Sequence, residues 1–427
     1  MSNNNALLPA IFVSAGIGLA AFSAPLSSQA QDLPQFEVDA TWPKPYPNKW
    51  KIGGVTGLAV DADDNVWVYN RPNDLTSLEL QAERDPPTAD CCVRPPSMIL
   101  IAGHDGPGYE DGEVIAYFDA PQGHGMAVDS EGYLYLGQNT VRKYDRNGNM
   151  LMEVPHIPEN PDGTPFEMPR IPERVPGLGG AGPVAGFIAR LDADIREGAG
   201  NASEQLTTLR ELRQQEFIAK YPPTTPMIVG GIEEIRIDEP ANEIYIADNS
   251  FGGRVMVFAL DTFEFKRGWG AYGHSLAEIS TDPEDHAYTP GGPPAREFVG
   301  HLTLNISNDG LVYAADRAGN RIHVTDKQGN FRQEFMMAEN TGTGGSTGGV
   351  MFSNDPEQQF LYISDLTNNK IWFLDRQTGE VLGTMGQMGE NAGQFFGLHM
   401  EATDSRGNLY TGEVFYGERV QRFLLRQ

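Results

Sequence analysis

DGLVYAADRAGNRIHV, residues 309–324, decides how this chain folds. A D-G turn opens it, a short apolar run climbs to Asp316, a loop follows, and R-I then starts a second run. Short apolar runs bounded by such turns read as strands, not helices. The same order recurs at TGLAVDADDNVWVYNRP (56–72), HGMAVDSEGYLYLGQNTVRKYDRNGNML (124–151) and EEIRIDEPANEIYIADNSFGGRVMVF (233–258). It recurs again at VMFSNDPEQQFLYISDLTNNKIWFLDRQTGEV (350–381) and HMEATDSRGNLYTGEVFYGERVQRFLL (399–425).

With the copy at 301–331 there are six. One such unit cannot bury both of its faces, so copies must pack side by side. The expectation is an all-β chain closed into a six-bladed β-propeller. The last copy runs out after its third strand. FEVDATW at 36–42 is placed to supply the missing fourth strand and tie the ends of the ring together.

Two insertions interrupt the copies. Residues 152–226 begin with a Pro-rich run and continue with GFIARLDADI and ASEQLTTLRELRQQEFIAKY, both with helical spacing. A lid-like, partly helical insertion is expected there, with a second Gly/Pro-rich loop at 272–297. Residues 6–25 are nearly all apolar or small, and Ser28 and Ala30 suit a cleavage site. Residues 1–30 therefore read as a signal peptide, although no Lys or Arg precedes the apolar run. The mature chain, 31–427, is expected to be exported, periplasmic or secreted, without a membrane span and monomeric.

With 31 Lys and Arg against 58 Asp and Glu, the formal charge is -27. That argues against nucleic acid or an anionic membrane as partner and leaves a small-molecule or peptide-derived substrate. The only two cysteines are Cys91 and Cys92. Any disulfide within the chain must join these neighbours. Two loop thiols are the alternative, and a metal site from the pair alone is not expected.

Three segments open alike: GHGMAVD (123–129), GHLTLN (300–305) and GLHMEATD (397–404). Aligned on the first strand, the copies open with Thr56, His124, Glu233, His301, Val350 and His399. Tyr135 follows His124 by 11 positions, Tyr410 follows His399 by 11, and Tyr313 follows His301 by 12. One extra residue is therefore assigned to the fourth turn. The first strand of a blade lines the central channel, so histidines on blades 2, 4 and 6 converge on the axis. Three imidazoles with an open position suit a catalytic zinc. Arg71 in YNRP and Arg317 in ADRA fall at one position past the second strand and suit a carboxylate or an oxyanion. Glu233 shares the ring as general base, fourth ligand or salt-bridge partner.

These residues resemble a known family. DGLVYAADRAGNRIHV looks like an NHL repeat. The histidines and arginines look like those of peptidyl-α-hydroxyglycine α-amidating lyase (peptidylamidoglycolate lyase), a six-bladed propeller. The resemblance spans roughly 50–425 outside the insertions. It implies His124, His301 and His399 as zinc ligands and Arg71 and Arg317 as active-site arginines. Two departures stand out. Ser250, next to Phe251, occupies the place of the family's tyrosine, with Tyr416 a tyrosine that could serve instead. Met400 occupies the place of a carboxylate that helps bind calcium, which weighs against that ion.

The expectation is an exported zinc-dependent enzyme, a carbon-nitrogen lyase or a hydrolase. It would act on a small carboxylate-bearing substrate through Arg71, Arg317 and Glu233, with Ser250 at the substrate. A lactonase-like hydrolase and a non-catalytic NHL binding protein are the alternatives, because fold alone does not choose.

Overall fold

The structure is a computed structural model describing residues 33–157 and 215–426. The expected signal peptide lies outside the described residues, as does most of the 152–226 insertion. Its described end is helical at 215–220. Pro34–Gln427 forms one compact unit. No helix among the described residues is long and apolar enough to cross a membrane.

Strand β1 is Gln35–Asp39. Blade 1 follows as β2 (Gly54–Val60), β3 (Val66–Arg71), β4 (Met98–Ile101) and β5 (Val114–Phe118). Blade 2 is β6 (Met126–Val128), β7 (Leu134–Gly137), β8 (Val141–Tyr144) and β9 (Met150–Glu153). Blade 3 is β10 (Ile232–Asp238), β11 (Glu243–Asp248), β12 (Arg254–Ala259) and β13 (Phe265–Trp269). Blade 4 is β14 (Leu302–Ile306), β15 (Leu311–Asp316), β16 (Arg321–Asp326) and β17 (Phe331–Met336). Blade 5 is β18 (Gly349–Phe352), β19 (Phe360–Asp365), β20 (Lys370–Asp375) and β21 (Val381–Met385). Blade 6 is β22 (Leu398–Thr403), β23 (Leu409–Glu413) and β24 (Val420–Arg426), completed by β1. The chain is thus the expected six-bladed β-propeller, six antiparallel four-stranded sheets whose first strands neighbour one another around the ring.

The closing strand is the one expected. Gln35 through Asp39 pair with Arg426 through Arg422. Buried Arg422 fastens this seam: its guanidinium lies 2.6 Å from both Asp39 Oδ2 and Asp111 Oδ2, and over the Trp42 ring. Removing one partner of a buried ion pair strands the others. Arg422→Met is therefore expected to cost about 3 kcal/mol, read as a lower urea midpoint at unchanged slope.

The recurrent Asp-loop-Arg signature has a physical basis. In blade 3, Asp248 pairs with Arg254 at 2.8 Å, both fully buried, and accepts the N–H of Gly230 at 2.9 Å. In blade 4, Asp316 pairs with Arg321 at 3.0 Å and accepts Val299 and Gly300 N–H. Each pair anchors the segment that enters its own first strand. Blade 6 uses Glu413 and Arg419, 2.7 Å apart. The expected loop at 272–297 also serves this device, because Arg321 donates to the Ala295 and Glu297 carbonyls. Short 3-10 turns at Ala271–Gly273 and Pro283–His286 punctuate it. Cys91 and Cys92 are bonded to each other, with Cα atoms 3.0 Å apart across a cis peptide.

Candidate active site

The three histidines gather at one end of the inner strands but not at one register position. Tyr135 lies opposite Ala127, Tyr313 opposite Asn305 and Tyr410 opposite Ala402. The turns between are alike, each closed by a first-to-fifth backbone bond such as Ser307 N to Leu311 O and Asp404 N to Asn408 O. The residue assigned to the fourth turn therefore belongs at the start of the strand. Register shifts leave Thr56, Glu233 and His399 as bulged residues in blades 1, 3 and 6. Blade 4 has no such bulge, and His301 precedes its strand. His124, between them, leads into Gly125. Val350, aligned with this ring from the sequence, lies deeper and pairs with Ile363 inside the core.

A bulge re-aims a side chain, and here it swings Glu233 and His399 toward His124. His124 Nε2 lies 3.2 Å from His399 Nε2, the rings edge-to-face. The same nitrogen lies 3.1 Å from Glu233 Oε2. The other oxygen of Glu233 faces His301 Nδ1 at 3.1 Å. His301 has a φ of 55°, in the left-handed region, and its side chain is half exposed. Strain of that kind in a non-glycine residue collects at ligand sites.

One residue in this cluster escaped the sequence reading. Asn249 donates to Glu233 Oε1 at 2.6 Å and accepts the Leu302 N–H at 3.1 Å. It follows Asp248 as Arg317 follows Asp316, so the signal was the equivalence of Asn249 with Arg71 and Arg317. Val55 pairs with Asn70 and Leu302 with Asp316, so Arg71 and Arg317 each follow the equivalent residue of their second strand.

Charge settles the chemistry of the cluster. Burial opposes ionisation of Glu233, yet His124, His301 and Arg317 hold its carboxyl well below the ordinary carboxylate range. Burial, with His124 and Arg317 adding to it, drives His399 far toward the neutral imidazole. Burial also lowers His124, against the pull of Glu233. Both nitrogens of His124 face oxygen: Nδ1 meets the Glu233 carbonyl at 2.6 Å and Nε2 the Glu233 carboxylate. A neutral ring with its proton on Nδ1 presents a lone pair at Nε2 to that carboxylate and to His399. Such an arrangement is stable only with a positive charge among them.

A cation fits this donor set. Two nitrogen ligands of a tetrahedral zinc stand about 3.3 Å apart, close to the spacing of the two Nε2 atoms. The Nδ1 contact to a backbone carbonyl is the usual way to fix a metal-binding tautomer. Among the described residues no group of three or more His, Cys, Asp and Glu forms a ready cage. His301 addresses the far oxygen of Glu233, not the nitrogen pair.

Arg71 and His124 share a cavity of about 380 Å³ with Asn73, Asp74, Gln122 and Gln138. Arg71 Nε lies 3.0 Å from Asp74 Oδ2. Arg317 Nε is buried without a hydrogen-bond partner. Ser250 sits in the turn after β11; its hydroxyl is buried and makes no hydrogen bond. Tyr416 is 63% exposed and packs beside Phe396, away from hydrogen-bond contact with the cluster. Met400 is buried in the core with Val55.

After β23, Glu418 pairs with Lys51, which also holds Glu79 at 2.9 Å. Burial pushes the Glu418 carboxyl up to about 7, against the pull of Lys51. A raised acid contributes stability while protonated and loses it as pH climbs through the folded value. Stability is therefore expected to fall between pH 5 and pH 8 through this group. Glu418→Gln should flatten that slope in melts taken across the same range. An unchanged slope would assign it elsewhere.

No family model matches the chain, and no curated protein does. Among solved structures it is similar to a structural-genomics protein of unknown function from Bacteroides thetaiotaomicron, with 14% identity over 88% of this chain and 70% of that one and a TM-score of 0.48. It is also similar to a streptogramin B lyase structure, with 10% identity over 92% of this chain and 98% of that one and a TM-score of 0.45. At these levels neither likeness bears on function.

Proposed function

We propose that the protein is a metal-dependent enzyme of lyase or hydrolase type, acting on a small carboxylate-bearing substrate at the axial end of the propeller. The observation that carries this is His124, whose two nitrogens both face oxygen while His399 Nε2 stands 3.2 Å away. His124 and His399 would hold zinc, with His301 or Glu233 as further ligand. Bound there, zinc would supply a Lewis acid and an acidified water.

The remaining roles fall to the chain itself. Arg71, in the cavity beside His124, binds and orients the carboxylate. Arg317, within reach of the charge on Glu233, adds positive potential where negative charge develops. Glu233, held ionised by its cationic neighbours, would serve as a ligand or charge partner at Oε2 more readily than as a base, and Asn249 holds its other oxygen still. Ser250 lacks the acidity of a phenol, so the amidating-lyase reaction in its familiar form is not the leading expectation. Export of the mature chain, read from its leader, fits a substrate met outside the cytoplasm.

Metal content of purified protein tests this reading: about one transition metal per chain is expected, and protein that neither carries nor takes up zinc overturns it. Arg71→Ala should keep the metal yet weaken binding of simple carboxylates about 10-fold or more, the worth of one charged hydrogen bond. Titration calorimetry reads this directly. Equal carboxylate affinity in both proteins would remove Arg71 from the site.

A further inference from the structure

Blade 6 breaks a rule that the other five blades keep. At one register position the first two strands face each other through Leu58 and Val68, Met126 and Leu136, Ile235 and Ile246, Leu304 and Ala314, and Val350 and Ile363. All ten are apolar, and they build the walls between blades. In blade 6 the pair is Glu401 and Thr411. Glu401 is 5% exposed and Thr411 fully buried. The Glu401 carboxylate meets only the backbone N–H of Ser364, outside ideal hydrogen-bond geometry, and has no side-chain partner; Thr411 Oγ1 has none either.

The facing wall of blade 5 carries a matching anomaly. Ser364, fully buried, has an unpartnered hydroxyl, and it pairs with Gly349. A methyl group built on Gly349 would lie 2.7 Å from Ser364 Oγ and 3.4 Å from Glu401 Oε1. The missing side chain leaves a small gap between the two oxygens. The charged neighbours across the channel are Glu234 and Arg236, and they satisfy each other at 2.6 Å. Glu401 is thus one buried carboxyl without a side-chain partner, among hydroxyls, in a wall built elsewhere from aliphatic groups. Burial of that kind is costly unless something meets the charge.

We propose that Glu401, Ser364 and Thr411 hold a small hard cation of single charge, of the sodium class, in the wall between blades 5 and 6. The donors are all oxygen, which selects hard ions over soft ones. One carboxylate calls for one positive charge. The site is distinct from the histidine cluster and does not depend on the function proposed for it.

The test is thermal stability in sodium, potassium, calcium or choline chloride at equal ionic strength. Wild type is expected to melt at higher temperature in sodium than in choline, rising with concentration and levelling off. Glu401→Gln and Glu401→Leu should lose the response. Glu401→Leu restores the side-chain type of the other blades, so it should fold, and it should match or exceed wild type in choline. The sodium response should persist in His124→Ala, which separates it from the axial site. Equal melting of wild type in sodium and choline would overturn the proposal, and so would a full sodium response in Glu401→Gln. Stabilisation by calcium alone would overturn the single-charge assignment.

Discussion

His399→Ala is expected to lower affinity for a transition metal at least about 100-fold, because loss of a directly bound ligand exceeds the 10- to 100-fold cost of losing a supporting hydrogen bond. Activity should fall with it. His399 is buried, its Nδ1 has no hydrogen-bond partner and its Nε2 meets only His124 Nε2, at 3.2 Å, so the substitution breaks no bond outside the cluster. The ring meets His124 edge-to-face, and its removal leaves a small polar space next to an open cavity. Melting temperature should therefore change little while zinc content of the purified protein collapses. His399→Gln, which keeps volume but loses the imidazole, should behave the same way. If either variant keeps wild-type zinc content, the metal lies elsewhere and the nitrogen pair has a structural role. A fold lost together with the metal would instead make the cluster a structural centre.

The fold could be read from the sequence because its signal is repeated six times. The copies share an apolar alternation around a polar turn, four of the six close the second strand on an acid (Asp248, Asp316, Asp365 and Glu413), and no single copy had to be interpreted alone. Closure by 36–42 was legible for the same reason: a copy one strand short requires a donor. What escaped was the start of the inner strands. A bulge adds a residue without changing the apolar pattern downstream, so Thr56, Glu233 and His399 look like ordinary strand openings. The count from histidine to tyrosine did show the anomaly, as 12 against 11, but could not say at which end of the strand it lay.

The candidate site was legible in part for a related reason. His124, His399 and Glu233 come together as the ring position implied, and the two arginines share their register. Asn249 was passed over because it stands where two other blades have arginine and carries no charge to attract notice. Its role exists only in three dimensions, as the bond that ties Glu233 of blade 3 to the first residue of β14. Ser250 was weighed through the resemblance, and the structure gives its hydroxyl no partner in the cluster.

Arg321→Met is expected to cost about 3–5 kcal/mol of folding stability, the usual loss when one member of a buried, hydrogen-bonded ion pair is removed. Arg321 and Asp316 are both fully buried, 3.0 Å apart. The guanidinium also donates to the Tyr272 hydroxyl at 2.9 Å and to the carbonyls of Ala295 and Glu297. Methionine keeps much of the volume but takes the guanidinium from those acceptors and leaves the Asp316 carboxylate, still buried, with only the backbone N–H groups of Val299 and Gly300. The consequence should reach the site. Asp316 holds the N–H groups of Val299 and Gly300, the two residues before His301. An unpaired Asp316 would bind water or a proton in place of Arg321, and the segment bearing His301 would loosen. Denaturant melts should show the loss of stability. Hydrogen exchange should show Val299 and Gly300 losing protection beyond the global change, while the equivalent Gly230 segment of blade 3, held by Asp248 and Arg254, should not. Protection falling equally in both blades would mean that the pair supports the ring as a whole and not the entry to its own strand.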